Sequence, residues 1–181
     1  MRFASTLLAG LLLWAGNAVP ARAQVPSGRD VVSPAAFASL EPVGRGGSFQ
    51  LAVVLKIRDG FHINARQASA DYLIKTDLRS DGVAGFKIGD VSYPKGELHT
   101  FSFSKTPLNV YEGKLVLRMD VTALPDAPLG TQQIRMKLRY QACSNEVCLP
   151  PVTVEVDAPV TVSATANASH AAHPELFQSQ R

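Results

Sequence analysis

The residues whose types and spacing point most directly to chemistry are Cys143 and Cys148, the two cysteines of the 181-residue chain. They lie between an alternating apolar run that ends near Tyr140 and another that begins near Val152, with Ser-Asn-Glu-Val between them. This order predicts a β-hairpin whose two cysteine side chains lie almost opposite each other, within reach of disulfide geometry. In an exported protein such a pair is expected to form a disulfide.

Three interpretations of the cysteine pair stay open from the residues alone. A structural disulfide is the plainest, although closing a six-residue loop contributes only about 2 kcal/mol in the chain-entropy model, and a chain of this length does not need it to fold. A redox-active disulfide is the second, since strained or exposed disulfides are the labile ones. A metal site is the third, but two thiolates supply half of a tetrahedral ligand set, which His62 and His99 complete only if the fold brings them close.

The first 23 residues have the pattern of a secretory signal peptide. Arg2 gives a positive start, residues 7–14 form a short apolar run, and Ala-Arg-Ala at 21–23 offers a cleavage site before Gln24. The apolar run is shorter than the roughly 20 residues of a membrane-spanning helix; a retained signal anchor is the alternative. We therefore expect a periplasmic protein with no stable membrane insertion after signal cleavage.

The charge balance of the mature chain argues against nucleic acid as a partner. Cleavage after Ala23 removes Arg2 and Arg22 but no acidic residue, so the formal net charge falls from +3 (18 basic, 15 acidic) to +1 (16 basic, 15 acidic). The remaining charges alternate in sign and form no basic cluster, whereas a nucleic-acid surface needs a basic patch.

The elements that must position the cysteines are short strands. Period-two alternation of apolar and polar residues is typical of strands with one buried face, and it occurs at residues 49–57, 61–64, 72–78, 115–119, 134–140 and 152–156. Turn dipeptides such as Asp81-Gly82 separate these runs. The pattern predicts an all-β, antiparallel β-sandwich. The single tryptophan, Trp14, lies in the signal segment, which excludes an antibody-type Cys-Trp-Cys core.

Composition divides the chain into four predicted parts. They are a signal peptide (1–23), an N-terminal linker or extended segment (24–47), a single folded domain (48–162) and a disordered tail (163–181). The second part is rich in Pro, Gly, Ser and Ala, and the last is small and polar, so we expect flexible termini. His170 and His173 in the tail are a weak metal signal.

The cysteine hairpin resembles a known active site. Residues 140–151, YQACSNEVCLPP, look like the active-site hairpin of the N-terminal periplasmic domain of the thiol:disulfide interchange protein DsbD. Two further stretches are similar to that family, KIRDGFHIN at 56–64 and YPKGE at 93–97. The resemblance covers roughly residues 49–156, and the hairpin ending in Leu-Pro-Pro is its more specific part.

The resemblance implies an immunoglobulin-like sandwich that exchanges electrons through Cys143 and Cys148 without a cofactor. In the family this domain takes electrons from a membrane-embedded relay and passes them to thioredoxin-fold partners in the periplasm, as a component of protein-disulfide reduction. Cys148, at the family's second cysteine position, is implied to form the mixed disulfide. The chain has neither a multi-span membrane domain nor a thioredoxin domain with its own Cys-x-x-Cys, so its electron donor is expected to be a separate protein.

The family also places an aromatic ring over its disulfide. Phe103 matches this cap residue best and Phe101 is the second candidate; the alternative is that both are core strand residues. The stretch lacks the acidic residues that often precede the family's aromatic. We interpret Glu146, between the cysteines, as a solvated charge at the hairpin tip, and His62 as a strand or loop residue rather than a base.

Two other functions are alternatives to thiol-disulfide exchange. A sandwich with a structural disulfide suits a non-catalytic module that binds an envelope partner or a sheet edge. A domain that handles copper or zinc is the other alternative. The reduction potential separates a structural disulfide, below about −300 mV, from a redox shuttle well above that value.

Overall fold

The structure is a computed structural model that describes residues 26–178, so the predicted signal peptide at 1–23 lies outside the described residues. Within residues 26–178, no helix has the length and apolar character needed to cross a bilayer. In chain order the strands are β1 (Val32–Ala38), β2 (Leu40–Glu41), β3 (Val43–Gly44), β4 (Ser48–Ile57), β5 (His62–Asn64), β6 (Asp77–Ser80), β7 (Phe86–Ile88), β8 (Glu97–His99), β9 (Leu108–Tyr111), β10 (Lys114–Ala123), β11 (Gly130–Tyr140), β12 (Ala142–Cys143), β13 (Val152–Ser163) and β14 (His170–Ala171). The helical segments are two 3-10 turns, Gly28–Asp30 and Ala166–Ala168, and α1 (Pro174–Phe177).

Two four-stranded sheets enclose the main hydrophobic core. The first has the order β1-β4-β10-β7 and the second β3-β13-β11-β6, and their neighbours are antiparallel except for the parallel pair β3–β13. Alternate residues point inward, so that β11 buries Ile134, Met136 and Leu138 between exposed neighbours. Burying each such side chain contributes about 2 kcal/mol. The predicted all-β antiparallel sandwich is confirmed.

A third sheet, of order β12-β5-β9-β8, carries the cysteine hairpin. Only Gln141 separates β11 from β12, so a strand of the core leads directly into the hairpin. Tyr140, at the end of β11, is fully buried and its hydroxyl donates a hydrogen bond to the Gly28 carbonyl at 2.8 Å. Burial raises the pKa of Tyr140 to about 12. The base of the hairpin is therefore fixed both to the core and to the N-terminal segment.

The described part of residues 24–47, predicted as a linker or extended segment, adds a strand to the first sheet. β1 pairs with β4 along its whole length, beginning with Val32 opposite Ile57. Val31 and Val32 are buried in the core. Strand pairing uses backbone hydrogen bonds, so a segment rich in small residues can still pair, and Pro34 is tolerated because β1 lies at the edge of its sheet.

The described part of residues 163–181, predicted as a disordered tail, forms local structure against the sandwich. Strand β14 pairs with β2, and α1 places the buried Leu176 against Ala52 and Val54 on the outer face of β4. The Arg118 side chain donates to the Leu176 carbonyl at 2.7 Å. Most residues of this segment are small or polar, so its composition does not indicate that Leu176 packs against β4.

Candidate active site

The hairpin holds Cys143 and Cys148 as a disulfide. The two residues face each other across an antiparallel bridge, with sulfur atoms 2.02 Å apart and Cα atoms 3.9 Å apart. Backbone hydrogen bonds of 2.8 Å flank the pair on both sides, one of them from the N–H of Ser144 to the carbonyl of Val147. The cysteines thus occupy a non-hydrogen-bonded position of the hairpin, where opposite side chains approach most closely.

A side-chain turn holds the tip of the hairpin. The Ser144 hydroxyl accepts hydrogen bonds from the backbone N–H groups of Glu146 (3.2 Å) and Val147 (3.1 Å). At the base, the Gln141 side chain donates to the Leu149 carbonyl at 3.2 Å. None of these bonds involves a sulfur atom, so they hold the loop independently of the disulfide. Glu146 is exposed at the tip.

The two cysteines differ in exposure. Cys143 is 2% exposed, whereas Cys148 is exposed, as is Val147 beside it. After the buried Leu149 come Pro150 and Pro151. Because proline has no N–H group, the backbone at these two positions cannot form a fully paired central strand. The solvent-facing side of the disulfide is therefore the Cys148 side.

His62 lies opposite Cys143 on the neighbouring strand. The register of β12 against β5 pairs these two residues, so their side chains share one face of the sheet. His62 is 2% exposed. Burial, with a smaller contribution from nearby His99, lowers the pKa of His62 to about 4, so its ring is neutral at pH 7. Its Nε2 atom has no hydrogen-bond partner among residues 26–178.

The two cap candidates stack beside His62. The Phe101 ring lies 4.0 Å from the His62 ring and 5.3 Å from the Phe103 ring, measured between centroids. Phe101 is buried in a small cluster with other apolar side chains, whereas Phe103 is 44% exposed. Between them, the Ser102 hydroxyl donates to the Asn145 carbonyl at 3.2 Å. This bond ties the loop that carries both phenylalanines to the tip of the cysteine hairpin.

Two acidic residues lie near the start of the same loop, Glu97 on β8, which leads into it, and Glu112 just after β9. The Nε2 atom of His99 lies 3.4 Å from Oε2 of Glu97, and its Nδ1 atom lies 3.3 Å from Oε1 of Glu112. Its ring also stacks on Phe101, with centroids 6.2 Å apart. Acidic groups are therefore present near the start of this loop, although the sequence immediately before the phenylalanines lacks them.

The histidines singled out as possible metal ligands do not assemble into a metal centre within the described residues. No group of three or more His, Cys, Asp or Glu side chains in residues 26–178 is arranged to hold a metal ion. His170 lies opposite Glu41 in the β2–β14 pair, and His173 stacks on Phe37 with ring centroids 4.8 Å apart.

The comparison with protein-family models agrees with the resemblance to DsbD N-terminal domains. A sequence model described as thiol:disulfide interchange protein DsbD, N-terminal, matches residues 29–159. Among solved structures, the N-terminal periplasmic domain of ScsB from Proteus mirabilis has a TM-score of 0.47 and 12% identity, over 73% of this chain and 47% of that chain. A family 123 glycoside hydrolase from Clostridium perfringens has a TM-score of 0.23 and 9% identity, over 74% of this chain and 28% of that chain. The chain thus spans about half of the ScsB chain that it matches. No curated protein matches.

Proposed function

The chain belongs to the family of DsbD N-terminal domains, and on that premise we propose that it relays electrons in the periplasm through Cys143 and Cys148. Membership of this family makes the chain a domain of the thiol-disulfide interchange type. The relay takes two electrons from a membrane-embedded thiol donor and passes them to thioredoxin-fold proteins. The asymmetry of the disulfide carries this proposal, because Cys143 is buried and Cys148 is exposed at a hairpin tip.

The chemistry is an in-line displacement at sulfur. A donor thiolate attacks the Cys148 sulfur, the bond to Cys143 breaks, and Cys143 leaves with the electron pair as a thiolate. The donor's second thiol then attacks the mixed disulfide and releases Cys148, so the domain has gained two electrons. In the second half, the Cys148 thiolate attacks the acceptor's disulfide and Cys143 resolves the new mixed disulfide. The acceptor leaves as a dithiol, and the domain returns to the oxidised state.

The loop of Phe101 and Phe103 is proposed to shield the disulfide from small reductants. The Ser102–Asn145 hydrogen bond and the stacking of Phe101 on His62 support a closed position over the hairpin. Phe103 is the proposed shield because it is the exposed ring that a docking partner can displace. Phe101, buried below it, is the second candidate.

Trapping of mixed disulfides tests the assignment of Cys148. With Cys143→Ser, the remaining Cys148 should form a long-lived mixed disulfide with a thioredoxin-fold protein, because no second thiol in the domain resolves it. With Cys148→Ser, trapping should be at least about tenfold weaker, since the remaining thiol is buried. Non-reducing gels of envelope extracts measure both, and the double serine variant is the control. Equal trapping refutes Cys148 as the attacked sulfur, and absence of trapping with both favours a structural disulfide.

A further inference from the structure

His62 is a buried titratable side chain that the exchange reaction described so far does not use. It is 2% exposed, it lies opposite Cys143 in the β5–β12 pair, and its ring stacks on Phe101. Its Nε2 atom has no hydrogen-bond partner among residues 26–178. Buried polar atoms in proteins are nearly always paired, so an unpaired one beside a reactive sulfur calls for an explanation.

The redox state of Cys143 decides whether it carries a hydrogen-bond donor. With the ring proton on Nδ1, Nε2 is a hydrogen-bond acceptor and needs a donor. While Cys143 is bonded to Cys148 it has no S–H group and offers none. Reduction converts Cys143 into a thiol on the same face of the sheet, at the spacing of opposite side chains in an antiparallel pair. Reduction therefore places an S–H donor on the face of the sheet that carries His62.

We propose that His62 is the proton acceptor for Cys143 when Cys143 resolves a mixed disulfide on Cys148, an inference that rests on the proposed exchange function. The Cys143 proton passes to Nε2 as the Cys143 sulfur attacks the Cys148 sulfur. The Cys143–Cys148 bond forms, and the bond from Cys148 to the outer sulfur breaks. The outer sulfur leaves with the electron pair as a thiolate and takes the proton from His62. Two electrons have then passed from the dithiol to the outer disulfide, and His62 is neutral again.

Burial affects both partners of the proton transfer. It disfavours the charged thiolate of Cys143, so the thiol ionises poorly without a base in contact with it. It also keeps His62 neutral above about pH 4, so the ring can accept a proton throughout the physiological range. The same burial makes His62 a weak base, so the proton moves only together with the attack of the Cys143 sulfur. The ionisable groups around the ring are Cys143 across the strand pair and His99, which itself contacts Glu97 and Glu112.

The pH dependence of the resolving step tests the proposal. The reduced protein is mixed with the disulfide reagent DTNB, which reacts first at the exposed Cys148 and releases one thionitrobenzoate. Attack by Cys143 then releases the second, and stopped-flow absorbance resolves the two phases. The second phase should change less than about threefold between pH 5.5 and 7.5, because neutral His62 is the base throughout. In His62→Phe, Cys143 must ionise before it can attack. The rate of the second phase should therefore fall about tenfold for each unit by which the pH is lowered.

Two further variants make the result decisive. His62→Gln accepts a hydrogen bond but takes up no proton; it should show the same steep profile and serves if His62→Phe does not fold. His99→Gln is the matched control and should keep the flat profile. The proposal is overturned if a folded His62 variant keeps the wild-type rate of the second phase across the pH range. It is also overturned if that rate depends steeply on pH in the wild type. DTNB replaces the protein partner, so this outcome is separate from that of the trapping experiment, which tests the exchange function.

Discussion

Opening the Cys143–Cys148 bond should lower the free energy of unfolding of the domain by only about 2 kcal/mol. The bond joins residues five positions apart, and the chain-entropy model gives about 2 kcal/mol for a loop of that size. Neither cysteine belongs to the main hydrophobic cluster of the described residues. The Ser144 turn and the Ser102–Asn145 hydrogen bond do not depend on the sulfur atoms. The reduced domain should therefore keep its fold.

Urea denaturation of the oxidised and the reduced wild-type protein measures this difference. Circular dichroism is the suitable probe, because the one tryptophan of the chain precedes the expected cleavage site. The midpoint should shift while the slope stays constant, and Tm should fall by about 4–8 °C on reduction. The variant with alanine at both cysteine positions should not respond to the reductant. A loss above about 4 kcal/mol, or unfolding on reduction, would refute the reasoning and mark the bond as structural.

Phe103→Ala should raise the rate of reduction by dithiothreitol at least about threefold and change Tm by less than about 2 °C, because the side chain is 44% exposed; an unchanged rate points to Phe101 as the shield. Leu176→Ala should cost about 2 kcal/mol in urea unfolding without changing the exchange rate, and a loss below about 0.5 kcal/mol contradicts its packing on β4. Burial lowers the pKa of His62 from 6.5 to about 4, so the unfolded chain binds this proton first as the pH falls, and stability is lost from about pH 6.5 down to 4. His62→Phe should lose less stability than wild type between pH 7 and 4.5 in urea titrations; equal losses contradict this. Mass spectrometry of envelope protein should find Gln24 at the N-terminus, and an uncleaved chain in the envelope contradicts cleavage after Ala23.

The sandwich and the cysteine hairpin were accessible from the sequence because their signals are local. Ile134, Met136 and Leu138 alternate with charged residues, and one inward-facing strand can be recognised without knowing its partner. The hairpin was predictable for a related reason: Cys143 and Cys148 are close in sequence, and the runs on either side of them are strands. Loop closure over so few residues leaves little choice of pairing.

Features that depend on long-range register were not accessible in the same way. His62 and Cys143 are opposite each other only because β12 pairs with β5 in one particular register, and no property of the segment around His62 specifies that pairing. A shift of one residue would place His62 on the other face of the sheet. Leu176 was missed for a different reason, since Leu176 and Phe177 are two adjacent large apolar residues in a segment of small and polar ones, and two adjacent residues give no periodic signal.

The exposure of Cys148 and the burial of Cys143 have a kinetic consequence for the proposed relay. Donor and acceptor must both react at the same sulfur, so they occupy the hairpin in turn and never form a ternary complex with the domain. Turnover then follows a ping-pong scheme, in which each half-reaction leaves the domain in a different redox state. The oxidised donor and the reduced acceptor both occupy this hairpin tip until they dissociate. Their dissociation rates therefore set an upper limit on the flow of electrons.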